Sequence, residues 1–231
     1  MGLARDNLNT RVHFIELINA DQWLFGGIVP ALWLQERFFT GYVGYHDILA
    51  TIFYFLHFAL PLAFGYLLWV DNKSRSVSST KVRFRQFVIA ILLLSYAGWI
   101  SYLIYPAAPP WLASQAGYLP EVHKIIETTF TIFPEKLHLP TIYHNFNPNP
   151  VAAMPSMHAA YPLLVLLFAF KFWRVKALFF LPYVLFVWTS MVYLGEHYVI
   201  DIIVGAIYAV TFFYIAKLLY SQPWLKRVIE H

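Results

Sequence analysis

The stretch GEHYVID, residues 195–201, sets His197 and Asp201 four positions apart. On a helix those positions share a face. The carboxylate can then accept a hydrogen bond from one imidazole nitrogen, which fixes the tautomer and leaves the other nitrogen free as a nucleophile. A carboxylate within an apolar segment costs roughly 2.5–3.5 kcal/mol on insertion scales, so it is a functional candidate by default. A His–Asp pair that merely ties two helices is the plain alternative. A second histidine stands in MPSMH, residues 154–158. Proline suits the first helical turn, where free backbone N–H groups and the helix dipole attract phosphate. Pro155, the hydroxyl of Ser156 and the backbone at Met157 therefore read as an anion cradle, and His158 as an acid–base group that titrates near neutrality. Taken alone, His158 reads first as an interfacial histidine satisfied by head groups. Cradle, oriented imidazole and second imidazole together are the parts that phosphoryl transfer through a histidine nucleophile needs. The sequence offers no carboxylate cluster for a catalytic metal, and neither metal nor organic cofactor is expected.

These groups lie far apart in the chain, so the elements between them must return to one depth. Of the 231 residues, 60% are apolar and 12% charged. A soluble domain carries about twice that charge, so an integral membrane protein is expected. A spanning helix needs about 20 mostly apolar residues, and the runs 47–70, 86–105, 177–194 and 198–220 approach or exceed that length. A fifth run, 156–173, is shorter but continuous, and 12–34 is interrupted by Glu16, Asp21 and Pro30, as a first span or an interfacial helix. Taking it as a span predicts an all-α, polytopic membrane helix bundle of six transmembrane helices with both termini cytoplasmic. Lys73, Arg75, Lys81, Arg83 and Arg85, then Lys171, Arg174 and Lys176, then Lys217, Lys226 and Arg227, with Arg5 and Arg11, put 13 of the 16 basic residues on one side. By the positive-inside rule that side is cytoplasmic. His158, His197 and Asp201 then open their helices at the opposite, extracytoplasmic face. The whole chain, 1–231, reads as one membrane domain without a cleavable signal peptide, and the absence of cysteine excludes disulfides and thiolate chemistry.

Residues 106–155 form the long outer segment of this scheme, too long for a passive connector. Proline-rich YPAAPPW and NFNPNPVAAMP stiffen its ends. The stretch 122–133 predicts a short amphipathic surface helix, and the segment is either an ordered surface loop or a lid and lipid-access ramp. Trp111 fits an interfacial anchor or a stacking surface for a head group. Asn147 and Asn149 can bind a polyol or simply shape the turn beside Pro148 and Pro150. His57 reads first as a satisfied core histidine, His46 and Asp47 as cavity-edge residues without an assigned role, and Glu196 as solvated.

The motifs in their order resemble the type 2 phosphatidic acid phosphatase (PAP2) superfamily of membrane lipid phosphatases and phosphotransferases. Its P-S-G-H motif is matched by Pro155-Ser156-Met157-His158, and its S-R-x5-H-x3-D motif by Ser190-Met191, five residues, His197 and Asp201. Its K-x6-R-P motif is absent; YPAAPPW, 105–111, stands in its place. With P-S-M-H-A-A and H-Y-V-I-D, this pattern resembles the branch of inositol phosphorylceramide synthases and their bacterial relatives. The resemblance covers roughly residues 47–210. It implies a six-helix membrane fold, His197 as the nucleophile forming a phosphohistidine, Asp201 orienting it, His158 moving the proton, and Ser156 with backbone N–H groups holding the phosphate. It further implies substrates that are lipids drawn from the bilayer, and no nucleic-acid partner. The family's cationic clamp is missing, with Met191 where the family has arginine. Arg37, Lys124, Lys136, His144 or the helix terminus are left to supply it. A weak clamp suits a phosphodiester better than a monoester, which favours head-group transfer to a lipid alcohol over hydrolysis of phosphatidate, phosphatidylglycerophosphate or polyprenyl pyrophosphate. Two other classes fit less of the sequence. A haem protein would need histidine pairs facing each other deep in the bundle, and a transporter would use His197–Asp201 as a proton relay.

Overall fold

The computed structural model describes residues 11–70, 77–134 and 149–222. Lys136, His144 and Asn147 lie outside the described residues, as do Arg5, Lys73, Arg75, Lys226 and Arg227. Ten elements follow in order: α1 (Ile15–Leu24), α2 (Pro30–Phe38), α3 (Tyr45–Val70), α4 (Val77–Ile104), α5 (Pro110–Gln115), α6 (Ile125–Phe130), α7 (Met157–Trp173), a 3₁₀ segment (Arg174–Phe180), α8 (Leu181–Tyr193) and α9 (Val199–Ser221). Among the described residues, three helices are long and apolar enough to cross a membrane: Tyr45–Val70, Lys81–Ile104 within α4, and Val199–Ser221. The expected run 177–194 is divided, because its first four residues belong to the 3₁₀ segment and α8 holds only 13.

The stretch 12–34 does not form the single first span that was expected. Gly26 and Gly27 take left-handed φ values of 62° and 93°, and Pro30 opens a new helix at its first position. The result is a hairpin of 10 and 9 residues, each about 15 Å long at 1.5 Å per residue, half of the roughly 30 Å hydrocarbon core. The hairpin packs on α8 and α9, where Asp21 and Gln35 bond to residues flanking His197, and just before the hairpin His13 N–H donates to the Pro106 carbonyl at 2.9 Å.

Helix α7 sits at the centre, packed on α3, α4, α8 and α9. Ala159, Ala160, Leu164, Val165 and Ala169 are fully buried, as expected of a helix that is apolar all round. One core cluster joins α1, α2 and α6 to the upper ends of α3, α8 and α9; the other fills the far half between α3, α4, α7 and α9. The proline-rich ends of the long segment pair through their backbones. Ala107 N–H donates to Val151 O at 2.9 Å, Ala153 N–H to Ala107 O at 3.1 Å, and Trp111 N–H to Gly195 O at 3.1 Å. The helix expected over 122–133 is shorter, Ile125–Phe130, and it is not superficial: Ile125 and Ile126 are fully buried against α3.

Candidate active site

Asp201 is the third residue of α9 and is completely buried. Its Oδ2 accepts the backbone N–H of Tyr198 at 2.9 Å and faces Nδ1 of His197 at 3.3 Å. The two residues meet as expected, but His197 stands in the turn before the N-cap Tyr198 and not on a shared helix face, and the Tyr198 N–H holds the carboxylate in place. Since a carboxylate only accepts, His197 carries its proton on Nδ1, a tautomer assigned from the network. Its Nε2 lone pair points away from Asp201, at Nδ1 of His158, 3.1 Å distant. His158 therefore donates from Nδ1. Both His197 and Asp201 are shielded from solvent, at 3% and 0% exposure, so their mutual electrostatics are little screened.

His158 is placed by the start of α7. Ser156 is the N-cap: its hydroxyl oxygen accepts Ala159 N–H at 3.2 Å, a common way to satisfy the first turn. The Ser156 N–H donates to the Asp201 carbonyl at 3.1 Å, which ties the two helix starts together. This approach depends on Gly205 of α9, where a Cβ would stand 2.3 Å from the Ser156 carbonyl oxygen. Gly205→Ala is expected to push the start of α7 outward, lowering kcat/KM by about 10²-fold, the cost of misplacing a reacting group by about 1 Å. Overpacking should also destabilise the bundle by about 1–3 kcal/mol, which melting in detergent would register. The His158 ring is wedged between two residues of α3: Tyr54, stacked at 4.7 Å, and His57, edge-on at 4.1 Å. His57 bonds through Nδ1 to the Tyr54 carbonyl, so it is a satisfied core histidine that also forms one wall of the site.

A cleft lined by Pro109, Trp111, Asn149, Pro150, Glu196, His158 and His197 opens beside this chain of groups. Its free volume is about 20 Å³, room for about one water molecule. The Trp111 indole N–H is buried without a hydrogen-bond partner among the described residues. The Lys124 ammonium lies 4.2 Å from the centroid of the Trp111 ring and pairs with Glu127 at 2.8 Å.

The sequence profile of the PAP2 superfamily matches residues 15–215. The chain belongs to that superfamily. Among PAP2 relatives it is similar to a phosphoinositol dihydroceramide synthase of Bacteroides thetaiotaomicron, 30% identical over 202 residues that make up 82% of this chain and 62% of that protein. It is also similar to an inositol phosphorylceramide synthase of Candida albicans, 26% identical over 183 residues, 77% of this chain and 37% of the relative. A third relative is the catalytic subunit of the Schizosaccharomyces pombe inositol phosphorylceramide synthase, 26% identical over 176 residues, 74% of this chain and 40% of that one. The chain spans about three fifths of the length of the first and about two fifths of the other two. No solved structure gives a significant match.

Of the PAP2 motif positions, His158, His197 and Asp201 form one hydrogen-bonded chain. Ser156 is buried, and its hydroxyl serves the helix cap and the Met191 thioether, 3.8 Å away. Met157 turns its side chain towards α4, where a Cβ on Gly98 would lie 2.6 Å from its sulfur. The extra bulk at this motif position is thus matched by a glycine on the facing helix. Asn149 lines the cleft and caps its own turn by accepting Val151 N–H at 3.2 Å. Arg37 is not brought to the histidines; it is exposed and folds back on Trp33, 3.9 Å from the ring centroid. Glu196, expected to be solvated, is 5% exposed and lines the cleft. Asp47 bonds the Gly44 N–H and the Tyr193 hydroxyl, tying α3 to the end of α8. Asp21 is the residue the sequence marked only as a break in an apolar run.

Proposed function

We propose that this protein is a membrane lipid phosphotransferase that moves a phosphorylated head group from a phospholipid to a lipid alcohol. The observation that carries this is the buried chain His158–His197–Asp201 at the shared start of α7 and α9, and the synthases named above support the direction. Nε2 of His197 attacks the phosphorus of a donor phosphodiester. The P–N bond forms as the P–O bond to the donor's lipid alcohol breaks, and that oxygen takes the Nδ1 proton of His158, which enters the step as the imidazolium and leaves it neutral. The acceptor hydroxyl then yields its proton to His158 and attacks phosphorus, forming the new P–O bond as the P–N bond breaks. Both histidines return to their starting state. Asp201 stabilises the imidazolium-like charge on His197 throughout. Substrate replaces the direct His158–His197 bond, since 3.1 Å leaves no room for phosphorus between the rings.

Head-group transfer needs water kept out. The paired proline segments roof the cleft, and the described parts of the outer segment, 106–134 and 149–155, act as a lid through which lipid head groups are admitted. The Trp111 N–H offers a donor to a head-group or phosphate oxygen, and Lys124 on that ring supplies a cation at the lid. With Met191 buried at the motif position where the wider family has arginine, a substrate of single negative charge is favoured. In the bilayer α3, α4, α7, α8 with its 3₁₀ segment, and α9 make five crossings, while α1–α2 lies at the interface on the side of the site. That leaves 11 basic residues on the inner side and five, now including Arg5 and Arg11, on the outer, so the site faces away from the cytoplasm.

The deciding assay supplies purified protein with a phosphatidylinositol donor and a ceramide or diacylglycerol acceptor, and follows lipid products and free phosphate. A new phosphodiester lipid is expected to form at the rate at which donor is consumed. Release of inorganic phosphate from monoesters with no new phosphodiester would identify a phosphatase instead.

A further inference from the structure

The α1–α2 hairpin adds no group to the His158–His197–Asp201 chain, yet two of its buried side chains bracket the turn that carries His197. Asp21 is fully buried. Its Oδ2 accepts the N–H of Val199 at 3.0 Å and its Oδ1 the N–H of Ile200 at 2.9 Å. These are the first two residues of α9, whose N–H groups have no acceptor within their own helix. Such groups are ordinarily capped by the residue just before the helix. Here that residue is Tyr198, and the cap arrives from 178 and 179 positions away. At the other end of the turn, Gln35 donates from Nε2 to the Tyr193 carbonyl at 2.8 Å and to the His123 carbonyl at 2.9 Å, and accepts His123 N–H at 2.9 Å. Gly195 between them holds φ +77° with its Cα packed so that a Cβ would meet His123 O at 2.9 Å. The turn is therefore clasped on both sides.

We propose that Asp21 and Gln35 are positioning residues for His197, and that Asp21 in particular keeps Asp201 available to it. Val199 and Ile200 present two part-buried donors next to a second carboxylate at this helix start, Asp201. With Asp21 in place those donors are satisfied, and Asp201 Oδ2 stays on His197 and Tyr198. Without it, Asp201 is drawn towards the vacant N–H groups and releases Nδ1 of His197, whose tautomer and aim are then lost. Burial pushes the Asp21 carboxyl up to about 6 despite its two N–H bonds. A buried ionised group is an expensive way to cap a helix, which accords with a role in placing the turn. The inference rests on the transfer chemistry proposed above.

A double-mutant cycle on the full chain in detergent, assayed with radiolabelled donor and lipid-alcohol acceptor, separates positioning from folding. Asp21→Asn keeps the volume but sets an amide N–H₂ against one of the two donors. It is expected to lower kcat on the order of 10²-fold with KM changed less than about threefold. In an Asp201→Ala background, where the link to His197 is already gone, the same substitution should cost less than about threefold, because residues that act as a unit are not additive. Gln35→Met, which keeps bulk and removes the donors, should show the same pattern with a smaller loss. An equal loss of kcat in both backgrounds, a loss carried by KM, or full activity of Asp21→Asn would overturn the proposal. Full activity of Asp201→Ala alone would overturn the transfer chemistry itself.

Discussion

His197→Ala is expected to abolish head-group transfer, with a loss of roughly 10⁶-fold, the scale seen when a covalent nucleophile is removed from a catalytic unit. The substitution takes away the atom proposed to bond phosphorus and leaves His158 without the partner its Nδ1 now faces at 3.1 Å. It also strips the buried Asp201 Oδ2 of one of its two donors, leaving only the Tyr198 N–H. That loss should cost about 1–3 kcal/mol of stability, small enough for the helices to stay folded. Rate of lipid product formation, read beside the melting temperature in detergent, separates the two effects.

Asp201→Asn is expected to be the second most damaging of these changes. When a triad carboxylate becomes an amide that turns its N–H₂ to the imidazole, the wrong tautomer is imposed and about 10⁴-fold is lost. Here the Tyr198 N–H bonds the same oxygen that faces His197, and Oδ1 has no partner among the described residues. An amide therefore settles with its oxygen on the shared side and its N–H₂ where Oδ1 stood. The tautomer survives, but the negative charge that stabilises the imidazolium does not. The predicted loss in kcat thus lies between about 10² and 10⁴-fold, with KM little changed because the carboxylate does not reach the substrate. A loss at the upper limit would mean that the amide has flipped despite the Tyr198 N–H.

The meeting of His158, His197 and Asp201 was more legible in the sequence than the residues that support it. The four-residue spacing pointed to the His197–Asp201 pair, but not for the reason expected: His197 lies in the turn before α9 and does not share a helix face with Asp201. The distribution of basic residues predicted that His158 lies at the same depth, while Pro155, expected in the first helical turn, stands before the N-cap Ser156. What spacing cannot reveal is a partner supplied from far along the chain. Asp21 interrupts an apolar run, and without the fold its carboxylate reads as a flaw in a span rather than the cap of α9. Gln35 and Gly205 carry no signal of their own; their importance appears only when Tyr193 and the Ser156 carbonyl are beside them. The stretch 12–34 misled through composition, since apolar content does not distinguish a helix that crosses from a hairpin turned by Gly26 and Gly27. Ser156 was legible as polar and well placed, but a serine at that position can serve a helix cap as well as a ligand, and its bonds here are those of a cap.

Covalent capture is the most direct measurement of the central claim, that the head group passes through Nε2 of His197. Donor phospholipid labelled at its head-group phosphorus would be mixed with the protein without acceptor, quenched within a turnover, and the protein digested and mapped. Acid-labile label on the peptide carrying His197, absent from His197→Ala and discharged by added lipid alcohol into a new phosphodiester lipid, is the predicted result. Turnover with no protein-bound label on that time scale, or label that persists in His197→Ala, would contradict it.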